Sequence, residues 1–118
     1  MNALDQRCID KGLISVDDLV SDLRITKTEL AAAVGLPREA VSKKARLHSR
    51  RNQHRLGEMV EIIRRVLPWT GTIQAAFAWY RSQPLPSFGG LTAEDLVKAG
   101  RSESVRNYLS RVAPGGYT

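Results

Sequence analysis

The chain has 118 residues, 42% of them apolar and only 6% aromatic, enough for one ordinary domain or two small helical units sharing a core. It carries 18 Lys and Arg against 12 Asp and Glu, a formal net charge of +6, which argues for an anionic partner. A single cysteine, Cys8, excludes an internal disulfide and points to a reducing compartment. The longest uncharged stretch, from Val66 to Tyr80, is broken by Pro68 and Gly71 and is too short to span a bilayer. Asp5, Arg7, Asp10 and Lys11 interrupt any basic-then-apolar leader, so a cytoplasmic protein with no membrane attachment is expected.

Seven helices are expected and no strand, an all-α fold. Val16, Leu19, Val20 and Leu23 recur at helical spacing behind Ser15, with Asp17 and Asp18 in the first turn. Thr26 stands three residues before Glu29, the spacing of a capping box, and opens a second helix through Leu30, Ala31 and Val34. Gly35 ends it, and Pro37 begins a third helix running to about Leu47, with Ala40 and Val41 turned inward. Ser49 to Gln53 reads as a loop or a frayed end. A fourth helix then carries Leu56, Met59, Val60, Ile63 and Leu67 and stops at Pro68. A fifth spans about Thr72 to Ser82. Gln83 to Leu91 has two prolines and two glycines and is expected to be irregular. Thr92 caps a sixth helix, Gly100 closes it, and Ser102 begins a seventh through Val105, Tyr108, Leu109 and Val112. The remainder, Ala113 to Thr118, is too glycine-rich to hold itself. The weak joint near Pro68 divides the chain into a basic unit, 1–67, and a nearly neutral one, 68–118.

The basic excess is concentrated. Arg38, Lys43, Lys44, Arg46, Arg50, Arg51 and Arg55 face only Glu39 between positions 38 and 55, so this segment alone accounts for the net charge of +6. Such unopposed basicity fits nucleic acid, an acidic protein surface or a plain solvated face. Around it, Ala31 lies four residues before Gly35 and Val41 six after it, the small–turn–plug pattern of a helix-turn-helix, though also open to an ordinary helical hairpin. With the third helix in a major groove, its exposed face holds Arg38, Glu39, Ser42, Lys43 and Arg46, of which the basic residues can reach guanine O6 and N7. Arg50, Arg51 and Arg55 then become phosphate contacts, which position without reading sequence. His48 and His54 are read as exposed.

The run KTELAAAVGLPREAVSKKARL resembles Xre-type repressor domains, although Lys44 stands where they bury a second aliphatic residue. From Leu91 onward, LTAEDLVKAGRSESVRNYLSRVAPGGYT, preceded by the loop Gln83–Gly90, resembles the toxin-binding domain of the Xre/MbcA/ParS antitoxins. Ala93 and Thr118 depart from the usual proline and terminal alanine. The resemblance implies an antitoxin of a type II toxin–antitoxin pair. Its implied partners are a RES-domain toxin that degrades NAD and, as a homodimer, operator DNA. Neutralisation would come from C-terminal helices and tail laid over the toxin's active-site cleft, with Leu109, Arg111, Gly115, Gly116 and Tyr117 as contacts, while the N-terminal unit represses the operon. Tyr108, Leu109 and Val112 also read as plain core. An exposed Tyr117 after two glycines reads either as an anchor awaiting a groove or as a fraying end.

No G-x-S-x-G, Gly-rich phosphate loop or H-E-x-x-H occurs, and His48 and His54 lack an acidic or sulfur companion at metal-site spacing. No catalytic residue, metal or cofactor is expected. The alternative to an antitoxin is a free-standing Xre-type repressor with a C-terminal dimerisation unit.

Overall fold

The structure, a computed structural model, describes residues 9–10, 13–42 and 49–116. Among them lie seven α-helices, one 3-10 turn and a pair of two-residue strands, an all-α architecture. The helices are α1 (Val16–Leu23), α2 (Lys27–Val34), α3 (Arg38–Ser42), α4 (Arg50–Thr70), α5 (Ile73–Ser82), α6 (Ala93–Lys98) and α7 (Ser102–Gly116). No helix among the described residues is long and apolar enough to cross a membrane.

Hydroxyl side chains open five of these helices. Ser15, Thr26, Ser49, Thr72 and Thr92 each accept the backbone N–H three residues on, at 3.0–3.3 Å, closing one donor that a helix start leaves open. Only Thr92 forms a full capping box, its own N–H donating to Asp95 Oδ2 at 3.0 Å. At Thr26 only half the expected box is made, because the Glu29 carboxylate is engaged by Arg81 at 3.1 Å instead. Arg24 ends α1 at φ 60°, a left-handed conformation that costs a side-chain-bearing residue about 1–2 kcal/mol.

Five segments differ from the sequence expectation. Ile9–Asp10 and Leu13–Ile14 pair antiparallel, Ile9 opposite Ile14 and Asp10 opposite Leu13. The second strand is docked by Gln53, whose Oε1 accepts the Ile14 N–H at 2.6 Å while its Nε2 donates to the Ile14 carbonyl at 3.2 Å. Arg50 to Gln53 are therefore helical, the start of α4 capped by Ser49, and not a loop. Pro68 does not stop α4, which continues to Thr70. Its missing N–H forfeits one bond, but Leu67 and Trp69 pack on the core, and the Thr70 hydroxyl donates to the Val66 and Leu67 carbonyls at 3.3–3.4 Å. The Gln83–Leu91 stretch contains a 3-10 turn, Pro86–Phe88, anchored by buried Leu85, whose N–H donates to the Leu91 carbonyl at 2.9 Å. Finally, α7 carries on through Ala113 to Gly116, so Gly115 and Gly116 lie on the helix and not beyond it.

Among the described residues the buried apolar side chains form one core. α4 is its axis, packed against α2, α5, α6, α7 and the second strand. Leu19, Leu30 and Val34 from the first half meet Ile62, Ile63, Tyr80, Leu96, Val105 and Leu109, all fully buried. The division expected at 67/68 falls inside α4, and side chains on both sides of it share this interior.

Polar ties cross the same boundary. The buried Tyr80 hydroxyl donates to the Ala33 carbonyl at 2.8 Å. Arg81 grips buried Glu94 through Nε and Nη2 and reaches Glu29 through Nη1, and Lys98 Nζ lies 3.5 Å from Glu94. The hydrogen bond to Glu94, outweighing burial, raises the guanidinium's already high pKa further. Gln74 donates to the Asp22 carbonyl at 2.9 Å, joining α5 to α1. Glu58 on α4 accepts the hydroxyl of buried Ser102 at 2.6 Å.

Burial, with Glu94 adding to it, pushes the Tyr80 phenol far above its usual pKa. The folded chain thus keeps this proton at a pH where the unfolded chain has lost it. Its contribution is complete below about pH 10 and falls by about 1.4 kcal/mol per unit above that. Urea unfolding between about pH 9 and 11.5 should show a shallower alkaline loss for Tyr80→Phe than for the parent. Parallel losses in the two proteins would exclude Tyr80 as the source.

Candidate nucleic-acid interface

The candidate interface is built on α2, the turn at Gly35 and α3. Gly35 adopts φ 70°, and its N–H and that of Leu36 donate to the Ala32 and Ala31 carbonyls at 3.3 and 3.0 Å, a Schellman closure. Ala31 is buried where the chain turns, and Ala40 and Val41 plug α3 into the interior. The small–turn–plug spacing thus forms a helical hairpin in which α3 packs mainly on α2. A side chain at position 35 would be strained by the left-handed backbone and would press on Lys98. A Cβ there would meet Lys98 Cγ at 3.0 Å and Lys98 Cβ at 3.2 Å.

Of the residues expected to read bases, Arg38 and Glu39 are exposed on α3 and Ser42 is half-buried at its described end. Arg38 Nε donates to Thr28 Oγ1 at 2.8 Å, which steadies the guanidinium against the first turn of α2. Lys43 and Arg46, with Lys44 and His48, lie outside the described residues. Arg50 and Arg51 are exposed in the first turn of α4, which carries no acidic side chain. Cations beside the positive end of a helix dipole are mildly unfavourable alone, by about 0.3–1 kcal/mol, and an anion placed there relieves them. His54, also exposed, has Nε2 3.0 Å from Glu58.

No family model, curated protein or solved structure matches the chain. The site therefore rests on its own geometry.

Arg55 does not belong to the outward-facing set. Its Nη1 donates to the Val34 carbonyl at 2.9 Å and its Nε lies 3.5 Å from Glu58, so the guanidinium is turned inward onto the end of α2. The spacing that places it one turn beyond Arg51 also brings it over the Gly35 turn, where an open helix carbonyl outcompetes solvent.

The second group of expected contacts is also divided. Leu109 is fully buried in the core, four residues from Val105 on the inner face of α7, and offers no surface. Arg111 is exposed, its guanidinium 5.9 Å from the centre of the Tyr108 ring. Gly115 and Gly116 form the last turn of α7, and Tyr117 lies outside the described residues. Tyr108 in turn meets Phe88 edge-on at 6.3 Å, and Arg101 lies over Phe88 at 5.8 Å. Arg101, Phe88, Tyr108 and Arg111 make a continuous stripe that brings the Gln83–Leu91 segment beside Arg111. Sequence spacing puts Tyr108 and Arg111 on one face of a helix but cannot bring Arg101 or Phe88 to it.

Proposed function

We propose that this chain is a DNA-binding antitoxin, which represses its own operon through the α2–α3 helix-turn-helix and neutralises a RES-domain toxin through its C-terminal half. The observation that carries the DNA reading is the left-handed Gly35 turn joining α2 to α3, with exposed Arg38, Arg50 and Arg51 around it. Arg38 approaches base edges from the start of α3. Arg50 and Arg51 meet phosphates at the N-terminus of α4, where main-chain N–H groups add to their charge. A homodimer would present two such hairpins to a two-fold operator. The toxin reading is supported by the sequence resemblance and by the Arg101–Phe88–Tyr108–Arg111 stripe, whose aromatic and arginine content suits a protein interface.

Anisotropy titration of the chain's own promoter tests the first part. With about six phosphates contacted, log affinity should fall with log salt at a slope of roughly −5. Arg50→Ala and Arg51→Ala should weaken operator and random duplex alike and each flatten that slope by about one. Arg38→Ala should cost about 1–3 kcal/mol on the operator only. Absence of duplex binding at low salt would remove the DNA reading. Co-expression with a RES-domain toxin encoded beside it, scored by growth and cellular NAD, tests the second part. Operator binding without protection or complex formation would leave a free-standing repressor.

A further inference from the structure

We propose that Tyr80 and Arg55 are positioning residues for α3, so that the direction in which the recognition helix leaves α2 is set from α4 and α5. The proposal rests on the DNA-binding reading. It concerns how that site is held, not what the site touches.

A helix leaves its last four carbonyls without intrahelical donors. In α2 these belong to Ala31, Ala32, Ala33 and Val34. The first two are closed locally, by the N–H groups of Leu36 and Gly35. The other two are closed from far along the chain. The Tyr80 hydroxyl donates to Ala33 at 2.8 Å from 47 residues away, and Arg55 Nη1 donates to Val34 at 2.9 Å from 21 residues away. Neither donor is free to drift. Tyr80 is fully buried on α5, and Arg55 is braced by Glu58, itself held by the Ser102 hydroxyl of α7.

The turn beyond these carbonyls is pressed by Arg55 again and by Lys98 of α6. A Cβ at Gly35 would meet Lys98 of α6 at 3.0 Å and Arg55 Nη1 at 3.4 Å. Lys98 lies against Glu94, which Arg81 ties to Glu29 on α2. Because α3 packs mainly on α2, its placement is inherited through this turn. A small rotation there would carry Arg38 away from a base edge while leaving Arg50 and Arg51, on α4, where they are. Loss of positioning should therefore lower selectivity and spare non-specific binding.

Tyr80→Phe keeps the ring and removes only the donor. Arg55→Lys keeps the charge but replaces the fork that spans Val34 and Glu58, and serves as the second variant. Each is compared in the full chain with Val105→Ala, a core cavity on α7 away from the turn. Operator and random-duplex affinities are measured with melting temperature, and backbone amide shifts are recorded without DNA. The expected result is that Tyr80→Phe and Arg55→Lys lower the operator-to-random ratio about fivefold or more, with random-duplex affinity and salt slope unchanged. Their amide shift changes should spread through residues 33–42. Val105→Ala should lower the melting temperature and leave the ratio within about twofold. An unchanged ratio in both positioning variants, or ratios that track melting temperature across all three proteins, would overturn the proposal. If the parent binds no duplex, the DNA-binding reading fails by itself, and the amide shifts decide the positioning claim. Changes reaching residues 36–42 sustain it, and changes confined to the neighbourhood of the substituted side chain reject it.

Discussion

A chain ending at Thr70 should show no cooperative thermal transition and no operator binding. The reason is the shared interior. Removing residues 71–118 takes away Ala76, Phe77, Tyr80, Leu85, Leu96, Val97, Val105 and Leu109, all members of the same buried cluster as the side chains of the first half. Burial of each Val, Leu or Phe side chain is worth about 1.5–3 kcal/mol, whereas a whole domain is stable by only about 5–15 kcal/mol. The truncation would also open the Ala33 carbonyl, which Tyr80 now covers, and leave Glu29 without Arg81. Two separable units divided near Pro68 would behave differently, because the first would melt on its own and still bind duplex. Circular dichroism melts of the full chain and of residues 1–70, with duplex titration of each, distinguish the two. A cooperative melt and retained operator binding by the shorter chain would show that the shared core is dispensable for the hairpin.

The contrast between local and distant contacts explains what could be read in the sequence. Helix starts are written in single hydroxyl residues, because a Ser or Thr side chain reaches an N–H only three positions away. Ser15, Thr26 and Thr92 are legible for that reason, as is the left-handed turn at Gly35. Pro68 misled because its local cost is fixed, while the packing of Leu67 and Trp69 that offsets it comes from elsewhere in the fold. Arg55 looked like its neighbours Arg50 and Arg51, since nothing local distinguishes an arginine aimed at solvent from one aimed at a carbonyl 21 residues back. Tyr80 carried one usable signal. A tyrosine on the buried stripe of a helix must find a partner for its hydroxyl, although the sequence cannot say which. The cluster of Arg81, Glu94, Glu29 and Lys98 gave no warning, because its members are spread over three helices whose juxtaposition only the fold supplies.

Leu109→Ala should destabilise the chain by about 2–5 kcal/mol, and Arg111→Ala should change its stability by no more than about 0.5 kcal/mol. The two residues stand two positions apart on α7, where the resemblance implies both as toxin contacts and Leu109 reads as core as well, and they face opposite ways. Leu109 is fully buried and Arg111 is exposed over the Tyr108 ring. Truncating Leu109 leaves a cavity among Val105, Leu96 and the other core side chains, and α7 cannot collapse into it without moving the rest of the helix. Arg111 loses only a solvated cation–π contact, worth about 0.5–1 kcal/mol at an exposed site and largely offset by regained side-chain freedom. Partner binding should divide in the reverse sense. If the Phe88–Tyr108 stripe contacts a toxin, Arg111→Ala should weaken the complex by about 1–2 kcal/mol in a folded protein of unchanged melting temperature. Leu109→Ala should weaken it only as far as the folded fraction falls, and lowering the temperature until the variant is fully folded should restore it. Urea unfolding gives the stabilities, and calorimetric titration with the purified toxin, made inactive by mutation, gives the affinities. A Leu109→Ala protein that is fully folded yet binds poorly would mean that α7 turns in the complex and presents its inner face. An Arg111→Ala protein with parental affinity would take the arginine stripe out of the toxin interface and shift attention to the end of α7.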